Sequence, residues 1–244
     1  MSDAARIAAA ERILAVARAL PNVRDQLVFI GAAVLPLLVD VDHRLTAPRP
    51  TRDVDAVAAT ATYVARAKME EYLRACGFRH QPGKNAGRWL SPANEIFDIS
   101  FAGDHLGGTG SSLDALAIAS AIRLPGDPPT RHLSGAGFLM MKAAAFNDRG
   151  AAAPHESKDL TDIGVLVIGR PQLTLEVEAA DAAVRRAVGS ASALLLGARD
   201  LAPALRGHFS DRGPILPDTP DELTVEVIRV LENFRARFGN AASE

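Results

Sequence analysis

Apolar residues recur along the first forty positions with two different periods. In Ala4–Leu20 they recur roughly every 3.6 residues, which predicts an amphipathic packing helix. Gln26–Ile30 is a continuous apolar run and predicts a short buried strand that ends at Gly31. Ala32–Val39 is then predicted to be a helix. A strand, a glycine and a helix in this order can aim backbone N–H groups at an anion, although a plain tight turn gives the same pattern.

The middle of the chain alternates between strand and helix patterns. Strands are predicted over Asp53–Ala58 and Glu95–Phe101, separated by a helix that Thr60 or Thr62 caps and that continues to Ala75. Further predictions are a hairpin of Phe78 with Arg88-Trp89-Leu90 around Gln81-Pro82-Gly83-Lys84, a glycine-rich loop over Asp104–Gly110, and Leu113–Leu124, which fits either helix or strand.

The last half of the chain carries a helical pattern throughout. Helices are predicted over Gly135–Asn147, Glu156–Ile168, Leu173–Val188, Ala191–Leu205 and Asp221–Phe238. Because Pro125–Pro129 interrupts the pattern, we place the main structural boundary there. The predicted fold class is α+β, with one domain over residues 1–130 that contains a sheet and begins with a helix, and a helical domain over residues 131–244.

Composition narrows the function classes. The chain of 244 residues has a net charge of −2, so a broad basic surface for nucleic acid is not indicated, although a local patch remains open. Cys76 is the single cysteine, so no intrachain disulfide can form. The N-terminus lacks the apolar core of a signal peptide, and no apolar run is long enough for a membrane span. We therefore expect a cytoplasmic protein with no membrane partner.

Two carboxylates lie two residues apart at Asp53 and Asp55. On a strand, side chains two apart point to the same face, so both oxygens would converge on one point and suit Mg²⁺ or Mn²⁺. The chain also holds Asp40 and Asp42, but these lie in a predicted loop, which does not enforce the period of two.

Asp98 is the third acid of interest. In its strand the apolar Phe97, Ile99 and Phe101 should face a core, so that Asp98 projects to the other face. Asp98 is then either a solvent-facing acid on a half-exposed strand or a third carboxylate beside Asp53 and Asp55.

Cations and acids recur in the later helices. Lys142 and Arg149 are seven residues apart and share a face of one helix, where they are either solvated surface cations or an anion site. Lys158 and Asp162 have the spacing of a local ion pair on the next helix.

Taken together, these stretches resemble the nucleotidyltransferases of the DNA polymerase β superfamily, and most closely the AbiEii/AbiGii abortive-infection toxins. The segments that carry the resemblance are Val28-Phe29-Ile30-Gly31-Ala32-Ala33, Arg49-Pro50-Thr51-Arg52-Asp53-Val54-Asp55, Phe97-Asp98-Ile99, and Lys142 through Arg149 to Lys158-Asp159-Leu160-Thr161-Asp162. The resemblance covers roughly Gln26–Ile168. The family usually has Gly-Gly or Gly-Ser at the turn, whereas this chain has Gly31-Ala32, which offers no hydroxyl.

The resemblance implies a nucleotidyltransferase-fold mixed sheet with flanking helices, followed by a helical domain, with the nucleotide between them. It implies that Asp53 and Asp55 hold Mg²⁺ (or Mn²⁺) against the triphosphate of an NTP, and that Asp98 completes a second metal position. An acceptor hydroxyl would attack the α-phosphorus in line and release pyrophosphate. Further roles follow from the same resemblance: Gly31, Ala32, Arg52, Lys142, Arg149 and Lys158 toward the nucleotide, Asp159 orienting Lys158 or the acceptor, and Asp162 in structure.

Two classes of function therefore compete. The first is an active nucleotidyltransferase whose acceptor is tRNA or a small molecule, as in antibiotic-modifying transferases, and which acts as the toxin beside a cognate antitoxin. The second is a module of the same fold that binds a nucleotide or a partner without catalysis, which the alanine at Ala32 favours.

Overall fold

The computed structural model describes residues 3–40, 51–59, 62–81, 87–102, 112–212 and 218–239, and these residues form two compact units. One unit, here called the sheet unit, takes the described residues of Ala4–Leu37 and Arg49–Ser134. The other, the helical unit, takes those of Met1–Asp3, Leu38–Pro48 and Gly135–Glu244. Residues 38–40, which follow the first strand, thus belong to the helical unit, as do the described residues from Gly135 onward.

A mixed seven-stranded sheet organises the sheet unit, in the order β3-β4-β5-β2-β1-β7-β6. Its strands are β1 (Leu27–Ile30), β2 (Asp53–Ala58), β3 (Arg79–His80), β4 (Arg88–Leu90), β5 (Ile96–Phe101), β6 (Ile122–Leu124) and β7 (Thr130–His132). The central strand β2 runs antiparallel to β1 and parallel to β5, so it lies between two buried neighbours. The predicted hairpin is present as β3 and β4, with Arg79–His80 rather than Phe78 as its first strand, while residues 82–86 lie outside the described residues.

Ten α-helices accompany the sheet in the described residues. The sheet unit contains α1 (Asp3–Arg18), α2 (Leu35–Leu38, where the chain changes unit), α3 (Tyr63–Ala75) and α4 (Ser112–Ala119). The helical unit contains α5 (Gly135–Ala145), α6 (Lys158–Gly169), α7 (Leu173–Ala179), α8 (Ala182–Leu196), α9 (Leu201–Arg212) and α10 (Pro220–Phe238). One π-helical turn, Phe146–Gly150, continues α5. The α+β class and the mixed sheet are thereby confirmed.

Side-chain caps explain several helix starts that the sequence signals. Thr62 accepts a hydrogen bond from the backbone N–H of Ala65 and begins α3 as predicted, while Thr60 lies outside the described residues. Thr219 and Glu222 form a reciprocal capping box at the start of α10, with Pro220 at the first helical position. Such caps satisfy N–H groups that have no partner inside the helix.

Other predicted boundaries are corrected by the structure. Only Leu35–Leu38 of the helix predicted over Ala32–Val39 is helical, because Gly31–Val34 forms a bend and turn after β1. Leu113–Leu124 forms both a helix, α4, and a strand, β6, and Pro125–Pro129 then links two paired strands of one sheet. The domain boundary predicted after residue 130 therefore falls inside β7, and the later part of the helical unit instead begins at Gly135.

The predicted helices over Leu173–Val188 and Ala191–Leu205 are divided differently in the structure. The first is interrupted at Ala180 and Asp181, and α8 then runs without a break through the predicted gap to Leu196. Both segments are apolar on one side, so periodicity alone does not locate the break. Across the described residues, no helix combines the length and the apolar character needed to cross a bilayer.

Candidate functional site: an acidic cluster on the sheet and an ion-pair network in the helices

Asp53, Asp55 and Asp98 converge at one point of the sheet. β2 and β5 are parallel neighbours, and their register pairs Asp55 directly with Asp98. Asp53 is two residues before Asp55 on β2, so it shares the same face. One carboxylate oxygen from each of the three side chains lies within 4.8 Å of the other two. The sequence expectation that these three acids come together is thus met by the fold.

Asp98 is not the solvent-facing acid that the sequence left open. The residue is only 8% exposed, whereas Asp53 and Asp55 are half-buried. A carboxylate loses hydration when it is buried, and it is retained at such a position only with compensating partners. The cluster therefore has a buried end at Asp98 and a more open end at Asp53 and Asp55.

The turn after β1 closely approaches the cluster. Ile30 pairs with Asp55, and Gly31 follows with φ of +72°, a backbone conformation that favours glycine. A Cβ atom at Gly31 would lie 2.0 Å from Oδ2 of Asp55, so a side chain there would displace the carboxylate. Gly31 is therefore required by Asp55 itself. Ala32 follows in the turn and is 8% exposed.

Two further contacts hold the start of β2. Thr51 donates a short side-chain hydrogen bond to Asp53. Arg12 of α1 donates to the carbonyl of Thr51 at 2.8 Å and, with Nε and Nη2, to the carboxylate of Glu95 at 3.0 and 2.8 Å. Thr51 and Glu95 directly precede the regions of β2 and β5 that carry the acids, so α1 ties the two strands together at this end. The sequence predicts only packing for this helix.

Arg88 brings a positive charge to the cluster. β4 pairs with β5 so that Arg88 lies opposite Asp98, and its guanidinium donates from Nε to Oδ1 at 2.9 Å and from Nη2 to Oδ2 at 2.6 Å. The same Nη2 lies 3.6 Å from Oδ2 of Asp53. The hydrogen bonds to Asp98, together with the charges of Asp98, Asp53 and Asp55, raise the pKa of Arg88 above its ordinary value in spite of burial.

The donor set of the cluster fits a hard divalent cation. All three ligands are carboxylate oxygens, which Mg²⁺ and Mn²⁺ prefer over nitrogen or sulfur. Ligands of Mg²⁺ lie about 2.1 Å from the ion, so two of them can be at most about 4.2 Å apart. The separations of up to 4.8 Å come within reach of this value by small side-chain rotations. Asp53, Asp55 and Asp98 are thus the residues that could hold such an ion.

Other residues that were considered from the sequence are placed as follows. Arg52 is exposed and directly precedes β2. Asp40 lies in the helical unit, where its backbone N–H bonds the carbonyl of Gly169 at 2.7 Å. Asp42, Arg49, Pro50 and the Gly107–Gly110 stretch lie outside the described residues.

The helical unit contains the second set of predicted residues, joined by hydrogen bonds. The ammonium group of Lys142 on α5 donates to Asp159 at 2.9 Å and to Asp162 at 2.8 Å, both on α6. Arg149 on the π-helical turn donates twice to Asp159, at 2.8 and 3.0 Å. We call Lys142, Arg149, Asp159 and Asp162 the ion-pair network.

Burial distinguishes the members of this network. Lys142 is 7% exposed, Asp159 4% and Asp162 0%, so the solvated-cation alternative for Lys142 is wrong. The side chain of Arg149, by contrast, is 71% exposed, and Lys158 is also exposed. Burial opposes the ionisation of Asp159, but the hydrogen bonds and charges of Arg149 and Lys142 outweigh it, so the pKa of Asp159 lies below its ordinary value.

Local backbone geometry places the exposed end of the network. Gly150 ends the π-helical turn, and a Cβ atom there would lie 2.5 Å from Oγ of Ser157. Ser157 in turn caps α6 by accepting from the N–H of Leu160. The turn and the start of α6 are therefore packed together, which brings Arg149 to Asp159. Single π-helical turns are frequent at functional sites.

The sequence did not single out Arg88 or Arg12. The sequence predicts Arg88 only as part of a hairpin strand, and its position opposite Asp98 follows once β4 and β5 are paired in register. Arg12 lies 83 residues from Glu95, and nothing in the local pattern links the two. Comparisons with known proteins add no assignment, since no protein-family model matches this chain and a search of curated proteins finds no match to its sequence.

Proposed function

We propose that this protein is a metal-dependent nucleotidyltransferase that moves a nucleoside monophosphate from an NTP to an acceptor hydroxyl. The observation that carries the proposal is the convergence of Asp53, Asp55 and Asp98, with Gly31 against Asp55. Like charges repel, and Arg88 offsets only part of the charge of these three carboxylates, so the cluster can still attract a metal cation. Catalysis of this kind depends on positioning and charge stabilisation rather than on a covalent intermediate.

The chain's own residues would act in the following way. Asp53 and Asp55, at the more open end, would hold Mg²⁺ or Mn²⁺, which supplies charge stabilisation at the triphosphate when it is bound. Asp98, at the buried end, would complete the metal site and help to remove the proton of the attacking hydroxyl. The compact turn at Gly31 and Ala32 leaves backbone N–H groups as the means of holding phosphate oxygens.

The assignment of the ion-pair network to the nucleotide comes from the sequence resemblance. Because Lys142 donates to two buried carboxylates, we assign it to holding Asp159 rather than to the nucleotide, whereas Arg149 and Lys158 are exposed and keep the nucleotide-binding role that the resemblance implies. Replacement of Lys158 by methionine should then raise the KM for NTP, whereas the same change at Lys142 should mainly lower stability.

The test is transfer of label from α-labelled NTPs, each supplied in turn with Mg²⁺, to total tRNA and to a panel of small hydroxyl compounds. Asp53→Asn should reduce transfer by about 10²–10³-fold or more. Asp25→Asn is the matched control, because Asp25 lies in the same unit and its side chain is 85% exposed. Transfer that is equal in both variants would reject the proposal.

A second candidate function is a nucleotide- or partner-binding module without catalysis. Two observations favour it: Ala32 offers no hydroxyl to a phosphate, and Arg88 already places a cation against Asp98 and Asp53. NTP binding without pyrophosphate release, across the whole acceptor panel, would select this function. The toxin role is tested separately, by growth arrest on expression that the product of a neighbouring gene relieves.

A further inference from the structure

Arg88 is bonded to the acidic cluster in a way that the proposed transfer reaction does not require. Its guanidinium occupies both oxygens of Asp98 and reaches Asp53 with the same Nη2. Each carboxylate oxygen has two lone-pair sites, so the fork on Asp98 leaves further acceptor capacity on both oxygens. Arg88 and a metal ion can therefore share Asp98.

The charge of the cluster shows what Arg88 does in the absence of metal. The guanidinium of Arg88 offsets part of the charge of the three carboxylates, and so relieves part of the repulsion that would otherwise separate the acids. Its side chain is 35% exposed, which weakens this interaction by solvent screening but does not remove it. The assembled cluster thus has a cation of its own.

Arg88 acts differently when a divalent ion enters the cluster. A guanidinium in direct contact with two of the three ligands repels that ion across a few ångströms. Its second effect, orientation of Asp98, is smaller, because the register of β4, β5 and β2 already places Asp98 beside Asp55. The repulsion should therefore dominate over the loss of orientation when Arg88 is removed.

We propose that Arg88 is the resident counter-cation of the acidic cluster and lowers its affinity for divalent metal, so that the nucleotide-free protein holds the ion weakly. This inference rests on the part of the proposed function that makes Asp53, Asp55 and Asp98 a metal site. A triphosphate, which adds negative charge beside the cluster, would then raise metal affinity, so that metal and NTP bind together.

The experiment measures the binding of Mn²⁺ alone to the full chain, by electron paramagnetic resonance of the free ion. Arg88→Met should bind Mn²⁺ about tenfold more tightly than the original protein. Arg88→Lys keeps the charge without the fork, and its Kd should stay within about threefold of the original value. Equal or weaker binding by Arg88→Met would overturn the proposal.

Arg74→Met is the matched control. Arg74 lies over the ring of Trp89 at 5.3 Å and pairs with Glu70 at 3.6 Å. Trp89 follows Arg88 directly on β4, so the side chain of Trp89 points to the opposite face of the sheet from that of Arg88. Loss of this cation changes the net charge by the same amount and should leave the Kd for Mn²⁺ unchanged. A tenfold gain in this control as well would reduce the effect to net charge and overturn the assignment to Arg88.

Far-UV circular dichroism tests the proposal even if the Arg88→Met variant does not fold without metal. If Arg88→Met is unfolded without metal, Mn²⁺ should restore its far-UV circular dichroism, because the ion replaces the missing cation; no restoration would overturn the proposal. The double variant with Asp53→Asn should lose the tight site. The label-transfer experiment gives a separate result. If Arg88→Met binds Mn²⁺ more tightly but the original protein transfers no label, this inference is upheld and the proposed enzymatic function is rejected.

Discussion

The two charged clusters of this protein differ in balance and in burial. In the helical unit, two carboxylates meet two cations, and three of the four side chains are almost completely buried. In the described part of the sheet unit, three carboxylates meet the guanidinium of Arg88, and Asp53 and Arg88 are each 35% exposed. The carboxylates of the helical unit are buried against cations, whereas those of the sheet unit are half-buried at Asp53 and Asp55, where a ligand can approach them.

This difference indicates that the charged residues of the two clusters serve different purposes, the proposed ligand binding in the sheet unit and structural support in the helical unit. The acids of the sheet are close enough together that they could hold a metal ion. The ion-pair network has those of a support that holds one exposed cation, Arg149, in a set position. Buried ion pairs contribute little net stability compared with apolar residues, but breaking one leaves an uncompensated charge in the interior. Substitutions in the two clusters should therefore have opposite dominant effects, on stability in one and on ligand binding in the other.

The largest effect is expected at Asp162. Asp162→Asn leaves the buried ammonium of Lys142 with Asp159 as its ionised partner in the network, and the free energy of unfolding should fall by about 3 kcal/mol. Urea denaturation measures this loss. Asp221→Asn is the control, because Asp221 pairs with Arg206 at an exposed position, with side chains 65% and 62% exposed, and should cost less than about 1 kcal/mol. Similar losses in both would contradict the comparison.

The second prediction concerns pH. The pKa of Asp159 is lower in the folded protein than in the unfolded chain, so its contribution is present above the unfolded value of about 3.9 and is lost as the pH falls through the folded value. Asp159→Asn removes this titration. The stability difference between the original protein and the variant should be about 3 kcal/mol at pH 7 and should narrow below about pH 4. A difference that stays constant down to pH 3 would show that Asp159 is not ionised in the network.

The third prediction is the response to metal. Mn²⁺ at about 100 times its Kd should raise the free energy of unfolding by about 2.7 kcal/mol, since it binds the folded state alone. Thermal denaturation with and without Mn²⁺ should show this gain in the original protein and in Asp162→Asn, but not in Asp55→Asn. If Asp162→Asn also loses the gain, the two clusters are not independent.

The smallest expected effect is a difference in Mn²⁺ binding between substitutions at two glycines with positive φ, Gly31 and Gly77. Gly31→Ala and Gly77→Ala should each cost about 1–2 kcal/mol in backbone strain, with φ of +72° and +81° respectively. A Cβ at Gly77 meets its nearest atom, Cγ of Pro92, at 3.5 Å, whereas at Gly31 it would displace the carboxylate of Asp55. Only Gly31→Ala should therefore weaken Mn²⁺ binding. Equal Kd values in the two variants would show that Gly31 serves the turn alone.

Several elements could be predicted from the sequence because their causes are local. The strand over Asp53–Ala58, the cap at Thr62 and the capping box at Thr219 depend on residues a few positions apart. The predicted helix boundaries were wrong where an apolar stretch is compatible with both a helix and a turn. Leu35–Leu38 is helical without the residues before it, and α8 continues across the gap predicted between Val188 and Ala191.

The sequence by itself determined which residue types are available to the site: two acids at a spacing of two on a strand, a third acid on another strand, and a glycine that ends the strand before them. The tertiary structure alone decided that Asp98 is paired with Asp55, that Arg88 lies opposite Asp98, and that Lys142 is buried between two carboxylates. The physical reason is that strand register and helix packing depend on contacts between distant residues, and a one-residue slip would turn each side chain to the other face.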